Sequence, residues 1–149
     1  MDISVIIPAY NECESLPELS AWIARVMQEH GYSYEVLFVD DGSTDGTWKV
    51  IQGLASEDSR IHGICFRRNY GKSAALYCGF ARAQGEVVFT MDADLQDSPD
   101  EIPEMYRMVM EEGYDLVSGW KQQRKDNASP GSRSASGFAR PRSCRSGCT

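Results

Sequence analysis

At 149 residues, 42% hydrophobic and 25% charged, the chain has room for one domain. Residues 1–120 carry 21 acidic and 8 basic side chains, a net −13, which argues against nucleic acid as a partner. Residues 121–149 carry 1 acidic and 7 basic side chains, a net +6, and no Leu, Ile, Val, Met or Tyr, so residues 122–149 are expected to be disordered.

No apolar run approaches the roughly 18 residues of a membrane span, and Met1-Asp2 leads directly into Ile3 with no basic segment or cleavage site of a signal peptide. The five cysteines, at 13, 65, 78, 144 and 148, are odd in number and lack metal-ligand spacing. They point to a reducing, cytoplasmic compartment rather than a disulfide framework.

In chain order, Ile3–Ile7 reads as a strand stopped by Pro8, followed by the loop Ala9-Tyr10-Asn11-Glu12. Ser15-Leu16-Pro17-Glu18 has the form of a capping box. Leu16, Leu19, Ile23, Val26, Met27 and His30 then recur at helical spacing until Gly31. Glu35–Val39 is a second strand, and the turn Asp40–Gly46 caps a helix with Val50, Ile51 and Leu54 on one face.

Ile61–Phe66 is a third strand, and Arg67–Lys72 leads into a helix over Ser73–Gln84. Small and apolar nearly all round, that helix is expected to pack deeply against the sheet. Glu86–Met91 is an apolar, β-branched strand of the kind covered on both faces. After the loop Asp92–Asp97, Ser98-Pro99-Asp100-Glu101 forms a second capping box and opens a helix to Glu112, and Leu116–Trp120 is a fifth strand. This alternation predicts a parallel α/β sheet covered by helices.

In such sheets ligands bind outside the carboxyl ends of the strands, and the polar residues gather there. Asp92 and Asp94, two apart in an extended segment, point to one side and repel unless a cation lies between them. Oxygen donors without His or Cys suit Mg²⁺ or Mn²⁺ rather than zinc. Asp-x-Asp alone also fits a solvated loop, but its place between a buried strand and a capped helix favours the metal.

Asp40 fits either ribose and base contacts or, with Asp41 and Asp45, plain turn and cap chemistry. Arg67, Arg68 and Lys72 fit either a phosphate at a helix N-terminus or a solvated basic face. Tyr10 either stacks on a base or fills its loop. The first turn has no Gly-rich fingerprint and no Walker lysine, which disfavours dinucleotide oxidoreductases and P-loop nucleotidases. His30 and His62 have no ligand partners, and Cys65 and Cys78 read as buried small apolar groups.

Five ordered motifs, Val5-Ile-Ile-Pro-Ala-Tyr-Asn-Glu12, Val39-Asp-Asp-Gly-Ser-Thr-Asp-Gly-Thr47, Arg67-Arg-Asn-Tyr-Gly-Lys-Ser-Ala-Ala-Leu76, Met91-Asp-Ala-Asp-Leu-Gln-Asp97 and Leu116-Val-Ser-Gly-Trp-Lys121, give the chain its family likeness. It resembles glycosyltransferase family 2 of the glycosyltransferase A fold, and within it dolichol-phosphate mannose synthases and bacterial polyprenyl-phosphate sugar transferases. The resemblance covers Ile3 to about Lys121, and residues 1–121 would be the nucleotide-sugar-binding, amino-terminal part of such a domain.

It implies a Rossmann-like, mainly parallel sheet and a nucleotide sugar, GDP- or UDP-linked, held by Pro8, Ala9, Tyr10, Glu12, Asp40, Asp41, Lys72, Asp92, Ala93 and Asp94. The divalent cation would be held by Asp92, Asp94 and Gln96, with Asp94 and Lys121 serving catalysis and Lys121 lying near the acceptor phosphate. The implied reaction is inverting displacement at the anomeric carbon. A lipid phosphate acceptor, with a second pKa of about 6, is already anionic and needs no strong base.

A saccharide hydroxyl acceptor would need a base beyond this stretch. An inactive donor-binding fragment, or a receiver-like signalling module, is the remaining alternative, although receiver acids follow the first strand and Asp40 and Asp41 follow the second. Full-length relatives continue past Lys121 with an acceptor loop, interface helices and often membrane spans, acting at the cytoplasmic face of the membrane. A truncation or frame shift is expected here near Asp126–Ser129.

Overall fold

The computed structural model describes residues 1–114, 116–119 and 136–139. Its elements are β1 (Ile3–Ala9), α1 (Leu16–His30), β2 (Tyr34–Asp40), α2 (Thr47–Glu57), β3 (Ile61–Cys65), α3 (Lys72–Arg82), β4 (Val87–Thr90), a short 3₁₀ turn (Pro99–Glu101), α4 (Ile102–Glu111), β5 (Leu116–Gly119) and β6 (Ser136–Ala139). They form one six-stranded sheet in the order β3-β2-β1-β4-β6-β5.

The first four strands are parallel, and β6 runs antiparallel to both β4 and β5. The expected parallel α/β sheet is therefore present, with two corrections. Disorder over residues 122–149 does not hold for Ser136–Ala139, which pair Val88 with Ala139 and Phe89 with Phe138. The remainder of that stretch, and Lys121, lie outside the described residues. The first strand also does not stop at Pro8, which continues in register opposite Val39.

The reason is the alternation of the ladder. Met91 N–H donates to Ile6 O while Asp41 N–H donates to Ala9 O, so even-numbered residues of β1 turn to β4 and odd-numbered ones to β2. The missing N–H of Pro8 falls on the β4 side, past Ile6, where that pairing has ended.

The same alternation divides the core. Ile3, Val5 and Ile7 join Val36 and Phe38 against Leu16, Leu19 and Ile23 of α1, Ile51 of α2 and Ile102 and Met105 of α4. On the opposite face Ile6, Leu37, Val39 and Val88 pack with Ala75 of α3. A fully buried side chain of this size contributes roughly 1.5–3 kcal/mol, so α1, with five buried apolar residues on its inward stripe, is held by packing rather than by its ends.

Helix α3 does not pack deeply all round. Its buried residues are Ala75 and Gly79, whereas Tyr77 is 77% and Phe80 42% exposed. A Cβ at Gly79 would lie 2.4 Å from Cγ2 of Ile6, so the helix approaches the sheet along its smallest residues and turns its aromatic rings away. Cys65 is exposed and Cys78 half-buried, against the expectation of burial.

At the amino ends of the strands Ser4 Oγ donates to Glu35 Oε1 at 2.6 Å. Gln84 N–H donates to the same oxygen at 2.7 Å, and Gly85 N–H donates to Ser4 Oγ at 2.7 Å. This buried triangle fastens the α3–β4 connection to the sheet. Among the described residues no helix is long and apolar enough to cross a membrane.

Candidate functional site

The carboxyl ends of β1, β2 and β4, with the loop entering α3, bring the predicted residues to one edge of the sheet. The β1 and β2 loops are tied together first. Asn11, at φ +54°, donates its N–H to Ser43 Oγ at 2.9 Å and accepts from Thr44 N–H at 2.9 Å through Oδ1. Glu12 N–H donates to Thr47 Oγ1 at 3.0 Å. The Thr47 hydroxyl and N–H both donate to Asp45, which holds that carboxyl below its ordinary range. Tyr10 stands 46% exposed above this joint, while Ala9 is buried and Pro8 and Glu12 half-buried.

Asp40 is buried at the end of β2 and accepts from Ser43 N–H at 3.0 Å. The Cys65 thiol points at its other oxygen at 3.8 Å. Partial desolvation on the Asp40 side, then the neighbouring Asp40 charge, pushes that thiol up, so it stays a neutral donor. Asp41 is also buried. Its two oxygens accept from Tyr70 N–H at 2.8 Å and Gly71 N–H at 3.1 Å, in the loop before α3.

On the β4 side, Asp92 N–H donates to Asp97 Oδ2 at 2.9 Å, and Gln96 N–H donates to Asp94 Oδ1 at 3.2 Å across Leu95 at φ +63°. Ala93 is buried and its carbonyl accepts from Ser15 Oγ at 2.5 Å. Asp94 and Gln96 are exposed and Asp92 half-buried, with its Oδ1 2.5 Å from Lys72 Nζ.

The structure thus brings Asp92, Ala93, Asp94, Gln96 and Lys72 into one neighbourhood, beside the joined loops of Pro8–Glu12 and Asp40–Thr47. Among the described residues no three His, Cys, Asp or Glu side chains form a ready cation cage. The donor set still fits a hard divalent ion of the kind completed by substrate phosphates and water: two carboxylates and an amide, one carboxylate already accepting a hydrogen bond from the Lys72 ammonium.

Sequence reasoning missed three supporting groups. Neither Ser15 nor Ser98 caps its helix through its side chain; Ser15 instead holds the Asp92–Asp94 loop. Asp97 closes that loop from within, and Gly42 admits the backbone of Arg68 and Asn69. The Ser-x-x-Glu pattern drew attention to Ser15 but could not reveal a partner so far along the chain.

The arrangement is that of the glycosyltransferase A fold. The chain matches a crystal structure of S. aureus TarS 1-349 with a TM-score of 0.67 at 20% identity, covering 88% of this chain and 39% of that one. It matches the mannosyltransferase PcManGT from Pyrobaculum calidifontis, solved in complex with GDP-Man and Mn²⁺, with a TM-score of 0.66 at 28% identity, covering 80% and 35%.

The model of glycosyl transferase family 2 matches residues 4–143, and the chain belongs to that family. The match extends past Lys121 and includes β6. An undecaprenyl-phosphate 4-deoxy-4-formamido-L-arabinose transferase from Aeromonas hydrophila is 42% identical over 126 residues, which cover 84% of this chain and 38% of that protein. One of the same name from Pseudomonas fluorescens is 42% identical over 127 residues, covering 85% and 37%. The chain therefore spans little more than a third of the length of these curated relatives.

Proposed function

We propose that this chain is the donor-binding part of an inverting glycosyltransferase that moves a sugar from a GDP- or UDP-linked donor to a polyprenyl phosphate. The observation that carries the reading is the Asp92-Ala93-Asp94 loop, pinned by Ser15 and Asp97 beside Lys72 at the carboxyl edge. The names of the relatives, transferases acting with undecaprenyl phosphate, support the acceptor class.

In this reading the loop of Pro8, Ala9, Tyr10 and Glu12 and the buried Asp40 hold the nucleoside, with Tyr10 exposed for stacking on the base. Asp92, Asp94 and Gln96 would hold Mg²⁺ or Mn²⁺, which would supply positive charge to the donor diphosphate. Ala93 shapes the floor of the loop, and Lys72 adds a positive charge that can pass from Asp92 to the diphosphate. Asp94 would act in catalysis as one of the residues that hold the cation, and Lys121 is assigned to the acceptor phosphate. The full-length protein would act at the cytoplasmic face of a membrane.

Calorimetric titration of GDP and UDP into the chain, with and without Mn²⁺, beside an Asp94→Ala variant tests the proposal. Metal-dependent binding of one nucleotide, lost in the variant, is the expected result and identifies the base. A folded chain that binds neither nucleotide would overturn it.

A further inference from the structure

The charge map shows where a cation can meet a donor diphosphate. Between Ser59 and Gly85 the sequence has no acidic residue, and it supplies Arg60, Arg67, Arg68, Lys72 and Arg82. Of these, Lys72 reaches the Asp92 loop, its Nζ 2.5 Å from Asp92 Oδ1. A lysine has a long, flexible stem, so the position of its ammonium depends on how firmly its Cα is placed.

Two features of the β2 loop place it. Asp41, 5% exposed, accepts the N–H groups of both Tyr70 and Gly71. Its own N–H is fixed to Ala9 O at 2.9 Å, so the carboxylate is anchored to the central strand of the sheet. Next to it Gly42, at φ +73°, lies so close to the basic loop that a Cβ would come 2.3 Å from Arg68 C and 2.5 Å from Asn69 N. Backbone cannot yield to a side chain there. The loop is therefore held twice, by hydrogen bonds to Asp41 and by close contact with Gly42. It then turns through Gly71 at φ +97° into α3, whose first residue is Lys72.

We infer that Asp41 is a positioning residue that acts on the donor through Lys72, setting the loop so that the ammonium is delivered to the Asp92 edge. A direct contact with the diphosphate is disfavoured on two grounds. Both carboxylate oxygens are engaged by backbone donors, and a carboxylate repels a phosphate. Holding the loop before the donor arrives removes ordering that binding would otherwise require. This inference rests on the proposed donor function.

A double-mutant cycle on the 149-residue chain tests it, with GDP and UDP titrated in the presence of Mn²⁺ into wild type, Asp41→Asn, Lys72→Met and the double variant. Each single change is expected to weaken binding about tenfold, and the double variant to bind within about twofold of Lys72→Met, because the two act as one unit. Losses that multiply, to about a hundredfold in the double variant, would overturn the inference. A purely structural role would lower the melting temperature of Asp41→Asn and leave the cycle multiplicative.

Hydrogen exchange on the wild type needs no variant. The Tyr70 and Gly71 amides should be protected without nucleotide, and exchange at the open-chain rate would overturn the clamp even if Asp41→Asn failed to fold. Should folded wild type bind neither nucleotide, the donor function falls and with it the role through Lys72, while the exchange data still decide the clamp.

Discussion

Lys72 Nζ lies 2.5 Å from Asp92 Oδ1, a pair that joins the start of α3 to the first carboxylate of the Asp-x-Asp loop. The side chains are 61% and 31% exposed, so the pair is screened and contributes about 1 kcal/mol at most. It nevertheless places an ammonium where a divalent cation would bind. Lys72→Met should therefore raise the affinity for Mn²⁺ alone by up to about fivefold while lowering that for the nucleotide. Electron paramagnetic resonance of free Mn²⁺ measures the first quantity; weaker Mn²⁺ binding in the variant would show that the two cations do not compete.

Ser15 has one hydroxyl proton, and the shorter of its carbonyl contacts is Ala93 O at 2.5 Å, against Glu12 O at 3.1 Å. Ser15→Ala leaves the Ala93 carbonyl without that donor, a loss of about 1 kcal/mol. In a domain of this size that lowers the melting temperature by about 3–4 °C. Because Ala93 lies between Asp92 and Asp94, Mn²⁺-dependent nucleotide binding should weaken in parallel. Thermal melts and titrations of Ser15→Ala and Ser15→Thr separate the hydroxyl from the methyl group it carries.

Glu35 is 3% exposed at the other end of the sheet, far in function from the donor edge. Glu35→Ala strands the buried Ser4 hydroxyl, removes the acceptor of the part-buried Gln84 N–H and should cost about 1–3 kcal/mol. Glu35→Gln keeps an acceptor oxygen and should cost less. Urea unfolding should show a lowered midpoint with an unchanged slope; equal stability of Glu35→Ala and wild type would show that the triangle does not hold the fold.

Gly79 sets two opposing effects against each other. Alanine in a helix interior gains up to about 1 kcal/mol over glycine, but the new Cβ would meet Cγ2 of Ile6 at 2.4 Å. Ile6 is β-branched and fully buried, so it cannot move aside, and overpacking of this kind costs about 1–3 kcal/mol. Gly79→Ala should thus be net destabilising in urea. Tyr77→Ser, on the exposed face of the same helix, should change stability by less than about 0.5 kcal/mol.

Much of this was legible in the sequence because period and punctuation agreed. Leu16, Leu19, Ile23, Val26 and Met27 are all buried on α1, and Gly31 takes the left-handed conformation, φ +69°, that a helix end requires. The edge residues were legible because an unpaired carboxylate is costly inside a buried strand, which places Asp40 at the end of β2 and Asp92 beyond β4. What failed depended on distant partners. The Ser15 hydroxyl was read as a local cap, but the Ala93 carbonyl, 78 residues away, takes it. Helix α3 was read from its composition, although depth of packing depends on which small residues meet Ile6. Ser136–Ala139 offered too short and weak a pattern to announce a strand, and its pairing with β4 supplies what local propensity lacks.

That last pairing has a consequence for how the chain assembles. Strand β5 is made before β6 yet lies outside it, so among the described residues β5 has no neighbour in the sheet until β6 has emerged. During synthesis the four parallel strands can close on their helices first, leaving one flank of β4 as an open ladder that invites another chain. The antiparallel pair of β5 and β6 then docks there in a late, non-local step, slowed by the long closure it requires.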